Sequence, residues 1–180
     1  MGPASKNNIA EYILFMWQTE DLIRACQFDA NRIREVIATN QGLANPQIDE
    51  LKDWYLSIAE QMMSEGVQNN GHISDLHAII QELFYLHNTL INVLRDEKYI
   101  GLFKTAEKFL KEYKAVTDGN VGNSIEMCLT ALYGKLLLRI KGEDISPETE
   151  EAMQSFTHMM AYLSNKYDAM KSGSLDFSGN

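Results

Sequence analysis

Pro147-Glu-Thr-Glu-Glu-Ala-Met-Gln-Ser-Phe-Thr-His-Met-Met-Ala-Tyr-Leu-Ser-Asn-Lys-Tyr-Asp-Ala-Met-Lys171 decides the fold class. Its apolar residues Met153, Phe156, Met160, Leu163, Tyr167 and Met170 recur at alternating spacings of three and four, which puts them on one face of an α-helix. Ser146 precedes Pro147 as a capping side chain before a proline at the first helical position, and Glu148 and Glu150 sit at the positive end of the helix. The same spacing recurs in Ile48, Leu51, Tyr55, Ile58 and Met62, and Leu76, Ile80, Leu83, Leu90 and Leu94 share a face. No stretch alternates with period two, so no sheet is needed. The chain reads as an all-α, single-domain helical bundle.

Caps and turns divide it into about seven helices: from Asn8 to Cys26, from after Asp29 to before Gly42, from Pro46 to Gly66, from Ser74 to Asp96, from Glu97 to Thr117, from Ser124 to Lys141, and from Pro147 to Lys171. Residues 1–7 read as a flexible N-terminus, 8–171 as the helical domain and 172–180 as a flexible Gly/Ser-rich tail. Asp118 to Asn123 is the clearest loop. Two helices are apolar around most of their circumference: Tyr12-Ile-Leu-Phe-Met-Trp17 in the first, and Leu132, Tyr133, Leu136 to Leu138 and Ile140 in the sixth. Helices of that kind pack on several sides, so those near 8–26 and 124–141 are expected at the centre.

With 180 residues, 45% hydrophobic and 23% charged, the composition is that of an ordinary globular domain, large enough to fold without disulfide or metal. The formal charge of -9 repels phosphate backbones, and no basic stripe offsets it, so nucleic acid is not an expected partner. The apolar run from Tyr12 to Trp17 is too short for a signal sequence or a membrane span. Cys26 and Cys128 stand alone in apolar stretches and read as buried thiols in a reducing compartment, which points to the cytoplasm and away from the membrane.

Few residues suggest chemistry. Ile9, Ile13, Met16, Glu20 and Ile23 form one seam, so Glu20 points into the core and must be paired or neutralised. One reading makes it a general base or metal ligand; the other pairs it with Arg24, four residues on. Asp21 faces elsewhere and reads as solvated. Glu65 continues the seam of the third helix, and if helices three and four pack antiparallel it approaches His72. Such a carboxylate–imidazole pair either orients a catalytic or metal-binding histidine or fastens a turn. His87, on the apolar face of helix four, reads as a hydrogen-bonded core residue. Met62 and Met160 lie on core seams; Met63 and Met159 flank them and could extend an exposed partner surface.

Familiar helical enzyme patterns are absent. No Glu-x-x-His, His-x-x-x-His or His-Glu-x-x-His places metal ligands, and no glycine-rich phosphate loop occurs. Of the Glu-Glu-x-x-Glu plus Glu-x-x-Asp pattern of helical nucleotide pyrophosphatases, only Glu50-x-x-Asp53 is present, with Glu148-x-x-Glu151 on another element. No catalytic residue, metal or cofactor is therefore assigned. The leading expectation is a non-catalytic protein-interaction bundle that pairs with itself or with another helical protein. The alternative is a small-molecule-binding or hydrolytic domain in which Arg24 holds an anionic group while Glu65 or His72 handles a proton, with Glu20 beside them.

The block Asn8-Ile-Ala-Glu-Tyr-Ile-Leu-Phe-Met-Trp-Gln-Thr-Glu-Asp-Leu-Ile-Arg-Ala25 resembles the start of a bacterial family of uncharacterised all-helical proteins. Trp54-Tyr55, Glu65-Gly66-Val67-Gln68 with Gly71-His72, Ala131-Leu-Tyr-Gly-Lys-Leu-Leu-Leu-Arg139, Ile145-Ser-Pro-Glu-Thr149 and Lys166-Tyr167 extend the likeness over nearly the whole chain. The resemblance implies a small cytoplasmic helical protein with no assigned activity, and it supplies no catalytic residues. It makes Trp17, Glu20, Arg24, Glu65 and His72 the residues to inspect together.

Overall fold

A computed structural model describes residues 8–41, 45–116 and 122–175. The expected N-terminal segment 1–7, most of the loop at 118–123 and the last five residues of the tail lie outside them. Seven helices follow in order: α1 (Ile9–Ala25), α2 (Ala30–Gln41), α3 (Asn45–Ser64), α4 (Ser74–Asn92), α5 (Glu97–Val116), α6 (Ser124–Ile140) and α7 (Pro147–Lys171). The fold is all-α and single-domain, without a strand among the described residues. Its helices group into two compact units, one holding residues 11–78 and the other residues 79 onward together with the first turn of α1.

In the first unit α2 packs on α3. The seam of α1 is as the spacing requires: Ile13, Met16, Glu20 and Ile23 are all buried, and Trp17 with them. Asp29 caps α2, its Oδ1 accepting the N–H groups of Asn31 and Arg32 at 2.9 Å each. Helix α3 ends in a Schellman turn, in which Val67 N–H donates to the Met62 carbonyl and Gly66 N–H to that of Met63. Gly66 takes the left-handed conformation (φ 74°) that this turn demands and that costs glycine little. The chain is thereby reversed into the segment 67–73, which carries His72.

In the second unit α7 packs on α5 and α6. Met153, Phe156, Met160, Leu163 and Tyr167 are buried, as the opening periodicity demands, while Met170 at the end of the same face is half-buried. Ser146 caps α7 by accepting the Thr149 N–H at 3.2 Å, with Pro147 in the first turn. Replacing Ser146 with alanine strands that donor and is expected to cost about 1 kcal/mol, measurable as a lower urea midpoint at unchanged slope. Asp96 caps α5 through the Tyr99 N–H at 3.0 Å and is held from α7 by Lys166 at 2.9 Å and by the Tyr162 hydroxyl.

Helix α6 departs from expectation. Its first turns are enclosed, with Ile125, Met127, Cys128, Leu129 and Ala131 buried, but Leu138 is 41% and Ile140 66% exposed. The apolar ring of α6 therefore leaves the core before it ends. The stripe Thr130, Gly134 and Leu138 borders an open cleft instead of a packed neighbour. Helix four is shorter than its pattern suggests, stopping at Asn92, because Arg95 turns left-handed (φ 51°) and Asp96 N–H closes back onto the Leu90 carbonyl.

Candidate functional site

The polar cluster of the first unit is built around a reversed turn. Glu20, one of the few charged side chains in the core, has no solvent exposure. Its Oε2 lies 2.5 Å from His72 Nδ1, and its Oε1 accepts the Ile73 N–H at 2.9 Å. Trp17, one turn earlier on α1, stacks on the imidazole at 4.4 Å between ring centres and 13° between planes. One face of α1 thus grips His72 by a hydrogen bond and by surface.

Arg24 continues the grip one turn later, but on backbone. It donates to the carbonyl of Val67 at 3.1 Å and to that of Gly71, and its other terminal nitrogen pairs with Asp21 at 2.9 Å. The expected Glu20–Arg24 pair does not form, because the guanidinium is drawn out to the turn carbonyls while His72 supplies the counter-group to Glu20. Asp21, expected to be solvated, is about half exposed and is also the acid that pairs with Arg24.

Glu65 does not pair with His72 either. It accepts from the Ser74 N–H at 2.6 Å, from the Ser74 hydroxyl at 3.1 Å and from Gln61 at 2.9 Å. Those bonds, the Gln61 one first and the Ser74 backbone next, hold its carboxyl below the usual range. A carboxylate at the first residue of α4 is a helix cap, here supplied from the turn that follows α3. The four residues lie at one turn, with partners other than those expected.

The His72 side chain is 28% exposed, with its Nδ1 turned to Glu20, both of whose oxygens are bonded within the turn. Burial pushes the thiols of Cys26 and Cys128 up, so neither is an activated nucleophile. Both are free and buried, as expected. Among the described residues no group of three or more His, Cys, Asp or Glu side chains could hold a metal ion.

The second unit contains a cleft of about 410 Å³, within the range of small-ligand sites. Phe109 and Tyr113 of α5, Leu138 of α6, and Met153 and Phe156 of α7 make its walls largely apolar. Lys135 lines it too, but its ammonium is held at 2.8 Å by Glu150, which also binds Arg139 at 3.0 Å. Gly134 stands in the middle of α6 on the cleft, and a methyl group there would meet nothing within 4 Å. A glycine inside a helix costs about 1 kcal/mol relative to alanine, and here no close packing requires it. Sequence reading missed this cleft, and the mid-helix glycine at 134 is the one signal of it.

Of the two flanking methionines, Met63 is 47% exposed, whereas Met159 is fully buried and extends no surface. Residue 159 lies one position from a seam broad enough to include it, since Ser155, Phe156, Met159 and Met160 are all buried. His87 is the hydrogen-bonded core residue its position suggested, 2.7 Å from the Tyr99 hydroxyl.

These features define an all-α domain with an internal carboxylate–histidine clasp in one unit and an apolar cleft in the other. The chain belongs to a family described as a domain of unknown function (DUF4924), whose model matches residues 3–174. No curated protein and no solved structure matches it. No helix among the described residues is long and apolar enough to cross a membrane.

Proposed function

We propose that this chain is a non-catalytic, cytoplasmic interaction bundle that pairs with a second copy of itself or with another helical protein. The observation that carries the reading is the exposed apolar end of α6, where Leu138 and Ile140 stand in solvent at 41% and 66%. The two stand two residues apart and project from different sides of the helix end, and each large apolar side chain left in water favours burial in a partner, at roughly 25 cal/mol per Å² removed from water. The polar cluster supports the same reading from the other side. Glu20, Arg24, Glu65 and His72 are spent on fastening their own turn, which favours a structural role over the hydrolytic alternative.

Light scattering across a concentration series tests the homotypic form. The chain is expected to associate at high concentration, and L138E/I140E is expected to shift it to monomer with unchanged helix content. A wild-type chain that stays monomeric throughout, with the double variant indistinguishable from it in scattering and in binding of an apolar fluorescent dye, would sink the reading.

A further inference from the structure

We propose that the cleft between α5, α6 and α7 is a binding site for an uncharged, largely apolar or aromatic small molecule, and that Gly134 is the residue that keeps room for it. Three observations converge. The cleft has a ligand-sized volume of about 410 Å³ and lies within one compact unit. Its walls are aromatic and aliphatic, with Phe109, Tyr113, Leu138, Met153 and Phe156 facing one space. Among the described residues its one lining cation, Lys135, is 13% exposed and already occupied by Glu150, so none of them leaves a strong positive charge on the cleft wall to select a carboxylate or a phosphate. The lining carboxylates, Glu112 and Glu148, are exposed and remain hydrated. Polar selection then falls to groups such as the Thr130 hydroxyl, which suits a molecule carrying at most a hydroxyl, carbonyl or amine beside its apolar body.

Gly134 turns the cleft from a packing gap into a site. An open apolar cleft is normally narrowed by the side chain nearest to it, because apolar wall left in water is unfavourable. Here the position in the middle of α6 that borders the space carries no side chain, although a methyl group would clash with nothing. Gly101 in α5 also meets nothing within 4 Å, but it does not line the cleft, so it serves as an internal control.

The test uses N-phenyl-1-naphthylamine, an uncharged aromatic probe that fluoresces in apolar sites, titrated into the full chain. Saturable binding at one site per chain is expected. Gly134→Leu should weaken it by at least about tenfold and Gly134→Ala by a smaller factor. Gly134→Ala and Gly101→Ala should each raise the melting temperature by about 2–4 °C, since each replaces a helical glycine. Gly101→Ala should bind the probe as the wild type does. Gain of stability with loss of binding at 134 alone is what a reserved site predicts and a structural glycine does not. The proposal is overturned if the wild type shows no saturable binding or if Gly134→Leu binds undiminished. It is overturned equally if a leucine-rich helical peptide, and not the naphthylamine, is the species that Gly134→Leu excludes, which would make the cleft a groove for a protein. A chain that self-associates in light scattering yet fails these titrations loses this site and keeps the interaction reading.

Discussion

His72→Ala should lower the folding stability by about 3 kcal/mol, the larger part of it from the carboxylate it abandons. Glu20 is fully buried and bonded at both oxygens, by His72 Nδ1 at 2.5 Å and by the Ile73 N–H at 2.9 Å. Without the imidazole the buried carboxyl keeps a single backbone donor. The stack on Trp17 is lost as well. If stranded charge is the main cost, removing that charge should restore stability: E20Q/H72A is expected to recover about half of the loss, because a neutral amide is far cheaper to bury than a carboxylate. Urea denaturation of the wild type, both single variants and the double variant closes the cycle. A single-variant cost below 1 kcal/mol, or a double variant no better than His72→Ala, would show that Glu20 does not depend on His72. The hydrolytic alternative leads one to expect the opposite, a stability little changed by either substitution, since acid–base residues are seldom the ones that hold a fold.

The fold was legible because burial in helices leaves a period in the sequence. The seams through Ile13, Met16, Glu20 and Ile23, and through Met153, Phe156, Met160 and Leu163, are buried residue for residue. Helix starts were legible where a side chain does the capping, as at Asp29 and Ser146. Some stops were not. Gln27, Phe28 and Arg95 adopt left-handed backbone conformations that local sequence signals with glycine or asparagine, so the end of α4 was placed too late. The site was half legible. Periodicity could say that Glu20 points inward and that the turn bearing His72 is near, but not which of two basic groups answers the carboxylate. That choice depends on where the carbonyls of Val67 and Gly71 point, and they point at Arg24. The cleft left still less trace, since an apolar residue bordering empty space looks the same in sequence as one bordering a neighbour. Its one trace is a mid-helix residue without a side chain, Gly134, and Gly101, equally open but off the cleft, shows how faint that trace is.

Acidification should weaken the second unit through His87. The side chain is 4% exposed, enclosed by Phe84, Phe103 and Tyr99, with its Nδ1 2.7 Å from the Tyr99 hydroxyl and its Nε2 3.5 Å from the Ser124 hydroxyl. Burial lowers its pKa to about 4 from the ordinary 6.5, and burial holds the Tyr99 phenol in its protonated form. The phenol therefore donates to Nδ1, and the imidazole is neutral in the folded chain at pH 7. In the unfolded chain the same imidazole takes up a proton near 6.5. The unfolded state then binds more protons than the folded one between about 6.5 and 4, so stability falls as the pH falls through that window and levels off below it. The slope is about 1.4 kcal/mol per pH unit, which amounts to about 2 kcal/mol by pH 5 and about 3 in all. His87→Gln retains an acceptor for Tyr99 and removes the titration. The comparison is best made between pH 7 and 5, where the other three histidines contribute equally to both proteins and cancel in the difference. Wild type should lose about 2 kcal/mol more than His87→Gln over that interval, measured by urea denaturation at each pH. Equal losses in the two proteins would mean that His87 is reached by protons in the folded chain, and that the pocket formed by Phe84, Tyr99 and Phe103 opens far more readily than its burial implies.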